Sequence, residues 1–163
     1  MPQIDLWRLR TALFPAGERL LPRLRWTGPT FEQEFVGVLD EPPADIRDQL
    51  RAMGDVYPCN AAKAKYHGVD GERVYAVGSY AYRPEGFFGQ SQTHIRLFPH
   101  VDGTALICHW ETSPWHDPVG HYGNADGEWD AEKGVAIARD LLDVDTDASI
   151  AGIGNYRPAD VTD

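Results

Sequence analysis

Residues 92–112, "QTHIRLFPHVDGTALICHWET", decide the predicted fold because they hold two alternating segments joined by a short turn signal. The dipeptide Asp102-Gly103 favours the two-residue turn of a β-hairpin. Segments 92–98 and 104–112 on either side alternate apolar and polar side chains, as half-buried strands do. The sequence therefore predicts an antiparallel hairpin here.

The register of this hairpin follows from placing that dipeptide in a two-residue turn. Counting outward from the turn sets Arg96 opposite His109 and His94 opposite Glu111. His94 and His109 are then diagonal neighbours, with backbones roughly 7–8 Å apart. One predicted face carries Ile95, Leu97, Leu106, Cys108 and Trp110, and the other carries His94, Arg96, Phe98, Ile107, His109 and Glu111.

The second face predicts a metal site, because histidine and carboxylate side chains are the ligands preferred by zinc and other divalent transition metals. The loop after the hairpin adds two histidines and an aspartate that can fold back over the same face. A polar surface with incidental histidines is the alternative, since no established ligand spacing such as HExxH is present. The predicted ligands are His94, His109, Glu111, His116 and His121, with Asp117 and Arg96 around them.

Aromatic side chains concentrate before and after the hairpin. They can line an apolar pocket for a small molecule, and core packing is the alternative explanation. The predicted pocket residues are Tyr80, Tyr82, Phe87, Phe88, Trp110 and Trp115.

Patterns outward from the hairpin predict further strands at 31–39 and 72–83 and helices at 40–54 and 130–143, the second with Asp130 as its N-cap. We therefore expect an α+β domain with a mostly antiparallel sheet of four to five strands and two helices on one face. The order of elements is similar to the helix-grip and TATA-binding-protein-like families, and this likeness carries no function.

Charge and pattern divide the chain into three predicted regions. Residues 1–30 form a basic amphipathic helical segment with a charge balance of +3, and residues 31–144 form the single α+β domain. Residues 145–163 are an acidic, loosely ordered tail.

Composition limits the classes of partner. The formal net charge of −10 argues against binding to a nucleic-acid backbone. No apolar run approaches the roughly 20 residues that span a bilayer, and the N-terminus lacks a secretory signal, so we expect a cytoplasmic protein. The preference for arginine over lysine and for aspartate over glutamate is typical of a GC-rich genome or of adaptation to high salt.

Three functions remain open from the sequence. The chain is a module that binds a small ligand or a divalent metal through the His/Glu patch, a metal-dependent hydrolase using the same residues, or a non-catalytic interaction protein. In the third case the basic N-terminal helix docks on an acidic partner or membrane.

Overall fold

The computed structural model of the chain describes residues 13, 27–59, 64–118 and 129–154. The larger of its two sheets has six strands, all paired in antiparallel fashion. They are β2 (Phe35–Leu39), β3 (Val56–Pro58), β6 (Gly78–Tyr82), β7 (Ser91–His100), β8 (Gly103–Thr112) and β9 (Trp129–Asp130). Their order across the sheet is β2-β8-β7-β6-β3, and β9 pairs with the far end of β8.

The smaller sheet has three strands, β1 (Thr27–Pro29), β4 (Ala64–Val69) and β5 (Glu72–Tyr75). Strand β4 lies in the centre, parallel to β1 and antiparallel to β5. The chain also forms two short 3-10 helices, Glu32–Glu34 and Ile150–Gly152.

Two α-helices, α1 (Pro43–Ala52) and α2 (Ala131–Leu141), pack on the same face of the large sheet. A proline in the first turn suits α1, because a backbone N–H there has no helical partner to lose. The predicted cap of α2 is confirmed: the Asp130 carboxylate accepts a hydrogen bond from the Lys133 N–H at 2.9 Å.

The central hairpin of β7 and β8 is buried on both faces. On one face, Ile95, Leu97, Leu106 and Cys108 pack against the two helices. On the other face, Phe98, Ala105 and Ile107 pack beneath Val38, Ala76 and Ile153. The face that carries the histidines is therefore enclosed, and it is not an open polar surface.

The hairpin prediction is confirmed, but its predicted register is wrong by two residues. Val101 and Asp102 form the tip, and His100 pairs with Gly103. Gly103 has a φ of 128°, and a side chain there would collide with the Leu39 carbonyl oxygen. Glycine at this position thus allows β2 to lie close to the hairpin. Because the shift is an even number of residues, every side chain stays on its predicted face.

The predicted α+β domain with one sheet of four to five strands is wrong, because the described residues are rich in strand and form a six-stranded and a three-stranded sheet with two α-helices. The segment expected as one strand over 72–83 changes sheets at its middle, where the Ala76 N–H donates to the Lys65 carbonyl and the Val77 N–H to the Leu97 carbonyl. Three of the remaining strands, β1, β3 and β9, have only two or three residues. Segments this short show no alternation that a pattern can detect.

The helical segment predicted over residues 1–30 is wrong at its end, because Thr27–Pro29 form β1. The rest of that segment lies outside the described residues apart from Leu13 and Thr30. Among the described residues, no helix has the length and apolar character needed to cross a membrane.

Residues 145–154, expected in the acidic tail, pack on the domain. Asp145 exchanges two backbone hydrogen bonds with Val38, of 3.0 and 2.8 Å, and Ile153 is fully buried. Residues 155–163 lie outside the described part.

Candidate metal centre

His94, His109 and Glu111 converge on the enclosed face of the hairpin. His94 on β7 pairs directly with His109 on β8, and Glu111 lies two residues farther along β8 on the same face. Each residue offers one ligand atom, and these atoms all lie within 4.8 Å of one another. The histidines are 2% and 3% exposed, whereas the Glu111 side chain is 15% exposed. The cluster therefore reaches solvent chiefly through its carboxylate.

Glu111 is the acceptor shared by the cluster. Its Oε1 lies 3.1 Å from His94 Nδ1, and its Oε2 lies 3.3 Å from His109 Nε2. The Gln92 amide donates to Oε1 at 2.6 Å. One nitrogen of each imidazole is thus directed at the same carboxylate.

The second nitrogen of each histidine has its own partner. His109 Nδ1 lies 2.6 Å from Glu34 Oε1, and because a carboxylate only accepts, this nitrogen carries a proton and donates it. His94 Nε2 forms a hydrogen bond of 2.7 Å with the Ser79 hydroxyl. These partners fix the orientation of both rings, as outer partners of metal-binding histidines do.

Glu34 reaches the cluster from a different element. It ends the 3-10 helix Glu32–Glu34, and its Oε2 accepts a hydrogen bond of 2.8 Å from the Phe31 N–H. The sequence predicted a continuous strand through Glu34, and Glu34 was therefore not predicted as part of the site. Ser79 was not predicted there either. Only folding brings Glu34 to His109, which is 75 residues away in the chain.

Arg96 lies between the two histidines. Its NH2 is 3.1 Å from His94 Nδ1, and its NH1 is 3.2 Å from His109 Nδ1 and 3.9 Å from Glu34 Oε1. Since His109 Nδ1 already donates to Glu34, the contact with NH1 is not a hydrogen bond. His94 Nδ1 either donates to Glu111 or accepts from Arg96, but it cannot do both.

Burial and the Arg96 charge lower the pKa of His94 to about 3, so this ring is neutral at pH 7. Burial by itself would raise the pKa of Glu111, but hydrogen bonds from His109 and His94 hold it well below its ordinary value. The pKa of Glu34 is also lowered: burial opposes this, and the hydrogen bond and charge of His109 outweigh it. The cluster thus presents carboxylates and a neutral imidazole at neutral pH, the states that bind metals.

The loop residues predicted as further ligands do not join this group within the described residues. His116 is exposed, and its backbone N–H donates to the Ser113 carbonyl, as does that of Asp117. His121 lies outside the described residues.

An aromatic pair borders the cluster. Trp129 pairs with Glu111 across β8 and β9, and its ring centroid lies 5.7 Å from that of His109. Phe31 packs edge-to-face on Trp129 with centroids 6.0 Å apart, and both rings are exposed at one side.

The six residues of the predicted aromatic pocket fall in separate places. Tyr80 and Tyr82 pack in the core beneath the helices, and Lys133 lies 3.5 Å above the Trp110 ring. The other three rings, those of Phe87, Phe88 and Trp115, contact one another at the surface.

Comparisons with known proteins add no assignment. No family model matches the sequence, and neither a curated protein nor a solved structure matches it. Any function proposed for this chain therefore follows from the geometry of its described residues.

Proposed function

We propose that this chain binds one divalent transition metal ion, zinc in the first instance, through His94, His109 and Glu111. The observation that carries the proposal is the convergence of three ligand atoms within 4.8 Å on two adjacent strands. Zinc bonds of roughly 2.0–2.1 Å in a tetrahedron place neighbouring ligand atoms about 3.3 Å apart. Glu111 Oε1 lies 3.1 Å from His94 Nδ1 and Oε2 lies 3.3 Å from His109 Nε2, so each imidazole is near that spacing from one oxygen of the carboxylate.

The outer contacts support the same proposal. Glu34 holds His109 so that Nε2 is directed at Glu111, and Ser79 holds His94 so that Nδ1 is directed there. A carboxylate or hydroxyl behind each ligand histidine is a recurrent feature of metal sites in proteins. In the metal-free protein, His109 Nε2 contacts Glu111, and His94 Nδ1 donates to Glu111 in the tautomer that carries its proton on Nδ1.

Metal analysis of the full chain, purified without a histidine tag or chelator, tests the proposal. We expect one zinc ion per chain after incubation with zinc and dialysis, and a rise in melting temperature that grows with zinc concentration, because a ligand of the native state stabilises it by mass action. The proposal would be overturned if the purified protein contained no metal and excess zinc did not change its melting temperature. That result would favour a non-catalytic interaction protein.

Two variants locate the site. Glu111→Gln keeps the shape of the side chain and removes the charge of the ligand, so zinc affinity should fall by more than the roughly 10- to 100-fold typical of losing an outer partner. His100→Gln is the matched control, since His100 is also a buried histidine but bonds to the Ser149 carbonyl. Equal zinc affinity in both variants would place the metal elsewhere.

A metal-dependent hydrolase is the second candidate, favoured by the number of ligands. Three protein ligands leave a coordination position for water, as in catalytic zinc sites, whereas structural sites fill all four. Assays of the zinc-loaded chain against activated carboxylic and phosphoric esters test this candidate. Turnover that Glu111→Gln abolishes would support an enzyme, and zinc binding without turnover would leave a binding module.

A further inference from the structure

The molecule contains a second buried arginine whose surroundings differ from those of Arg96. Arg83 is 4% exposed, and its Nε donates to Gln92 Oε1 at 2.8 Å while NH1 donates to the Phe87 carbonyl at 3.1 Å. Both acceptors are neutral. Within the described part of the chain, no carboxylate forms an ion pair with Arg83, whereas Arg96 has Glu34.

A buried charge without a counterion is unusual, because removing it from water costs several kcal/mol unless an opposite charge compensates. Three aromatic rings surround the Arg83 guanidinium instead. Its carbon lies 5.6 Å from the ring centroid of Tyr57, 5.3 Å from that of Phe87 and 5.9 Å from that of Trp115. Ring faces stabilise a cation only partly.

The guanidinium also keeps one nitrogen available. NH2 has no hydrogen-bond partner among the described residues, and it is not one of the fully enclosed nitrogens without a partner, which are Arg47 Nε and Arg96 Nε. NH2 thus keeps some contact with solvent beside the three rings, and its two N–H groups are available to an anion.

The rings around Arg83 continue into an exposed surface, which we call the aromatic patch: Tyr57, Phe87, Phe88 and Trp115. Neighbouring rings have centroids 5.0–5.5 Å apart, and Phe88 is 71% exposed. Exposed, contiguous aromatic surface of this kind is typical of binding sites.

We propose that Arg83 and the aromatic patch form a binding site for a small aromatic carboxylate. The carboxylate would accept hydrogen bonds from Arg83 NH2 and supply the missing counterion, and the flat apolar body would stack on Phe88 and Trp115. A single cation at this place suits a monoanion better than a dianionic phosphate. The site contains none of the three proposed metal ligands and does not require a metal, although Gln92 bonds to both Arg83 and Glu111.

A pair of probes of equal shape tests the site on the intact wild-type chain. The probes are 3-phenylpropionate and its neutral amide, titrated at millimolar concentrations while NMR follows the indole N–H signal of Trp115. We expect saturable shifts of this signal, with the acid binding about tenfold or more tightly because it alone forms a charge-assisted hydrogen bond. Equal affinities, or acid-induced shifts that spare Trp115, would overturn the proposal.

Two variants separate the roles of the groups. Arg83→Met should remove the preference for the acid while Trp115→Ala should weaken acid and amide alike, because only the first change removes the charge. Trp115 is half exposed, so its replacement leaves the core intact, and the backbone amide signal of Phe88, which belongs to the aromatic patch, can report in that variant. If Arg83→Met does not fold, the acid and amide comparison on the wild-type chain still decides the proposal.

Discussion

His109 lies between two carboxylates and connects them. Its Nδ1 is 2.6 Å from Glu34 and its Nε2 is 3.3 Å from Glu111, so in the metal-free protein both nitrogens face acceptors. Arg96, 3.9 Å from Glu34, supplies a positive charge beside these carboxylates. A metal ion bound at Nε2 would take the place of the contact with Glu111 and leave the hydrogen bond to Glu34 intact.

Arg96 is expected to weaken metal binding, because its guanidinium lies beside both histidines and repels a second cation. Arg96→Met should therefore raise zinc affinity by about tenfold or more, measured by competition with a chromogenic chelator. Arg51→Met is the control, since Arg51 carries the same charge on the exposed side of α1. A lower zinc affinity in Arg96→Met would show that Arg96 supports the site.

His94 should make the metal-free protein sensitive to acid. Its pKa is about 3 when folded and 6.5 ordinarily, so between these values the unfolded chain binds a proton that the native state does not. Stability is then lost as pH falls below about 6, by about 1.4 kcal/mol per pH unit.

This prediction is tested by comparing how steeply the free energy of unfolding falls with pH in wild type and in a His94 variant. Urea unfolding in the presence of a chelator, repeated from pH 7 to pH 5, gives the free energy of unfolding for wild type and His94→Gln. The variant should lose less stability per pH unit, whatever its stability at pH 7. Parallel slopes would mean that His94 is already protonated in the native state.

At the scale of elements, helix α2 supports the site from behind. A side chain at Gly134 would collide with the backbone of His109 and Trp110, so the helix and β8 are in direct contact there. The helix thus limits any movement of β8 away from the plane of the sheet, and it holds the His109 backbone in place.

Gly134→Ala should destabilise the protein, although alanine favours helices by about 1 kcal/mol over glycine. Overpacking against a backbone costs about 1–3 kcal/mol, so we expect a net loss of up to about 2 kcal/mol in chemical denaturation. Gly54→Ala is the matched control, because nothing lies within 4 Å of the position its side chain would take. A stabilised Gly134→Ala protein would contradict this close contact.

The hairpin shows which features of a strand pair the sequence pattern predicts and which it does not. The alternation of 92–98 and 104–112 predicted two strands and their faces, and both are confirmed. The register was wrong because Asp102-Gly103 has the composition of a turn while Gly103 is required by β2. The local sequence of the hairpin cannot show that β2, which is distant in the chain, lies against Gly103.

For the whole molecule, the surplus of acidic residues predicts that stability depends on salt concentration. Acidic residues outnumber basic ones by 25 to 15, and such a surplus destabilises the compact state by self-repulsion unless salt screens it. We expect a higher urea midpoint in molar potassium chloride than in dilute buffer. Chloride is the suitable anion because sulfate stabilises proteins in general. Greater stability in dilute buffer would contradict adaptation to high salt.

The division into two sheets was not predictable from the sequence. Residues 72–83 have the composition of one continuous strand with apolar residues on both faces, and the change of sheet at Ala76 and Val77 depends on partners in β4 and β7. Strands of two or three residues are likewise defined by the neighbours that accept them and not by their own composition.

The sequence by itself determined that His94, His109 and Glu111 share one face of a hairpin, because alternation has a period of two and survives an even shift in register. Only the tertiary structure decided that this face is enclosed and that Glu34, Ser79 and Arg96 surround the histidines. It also buried Arg83 beside exposed rings, with no ion-pair partner among the residues that the structure describes. The reason is that burial and charge pairing depend on segments distant in the chain, whereas the facing of a strand residue depends only on its position within the strand.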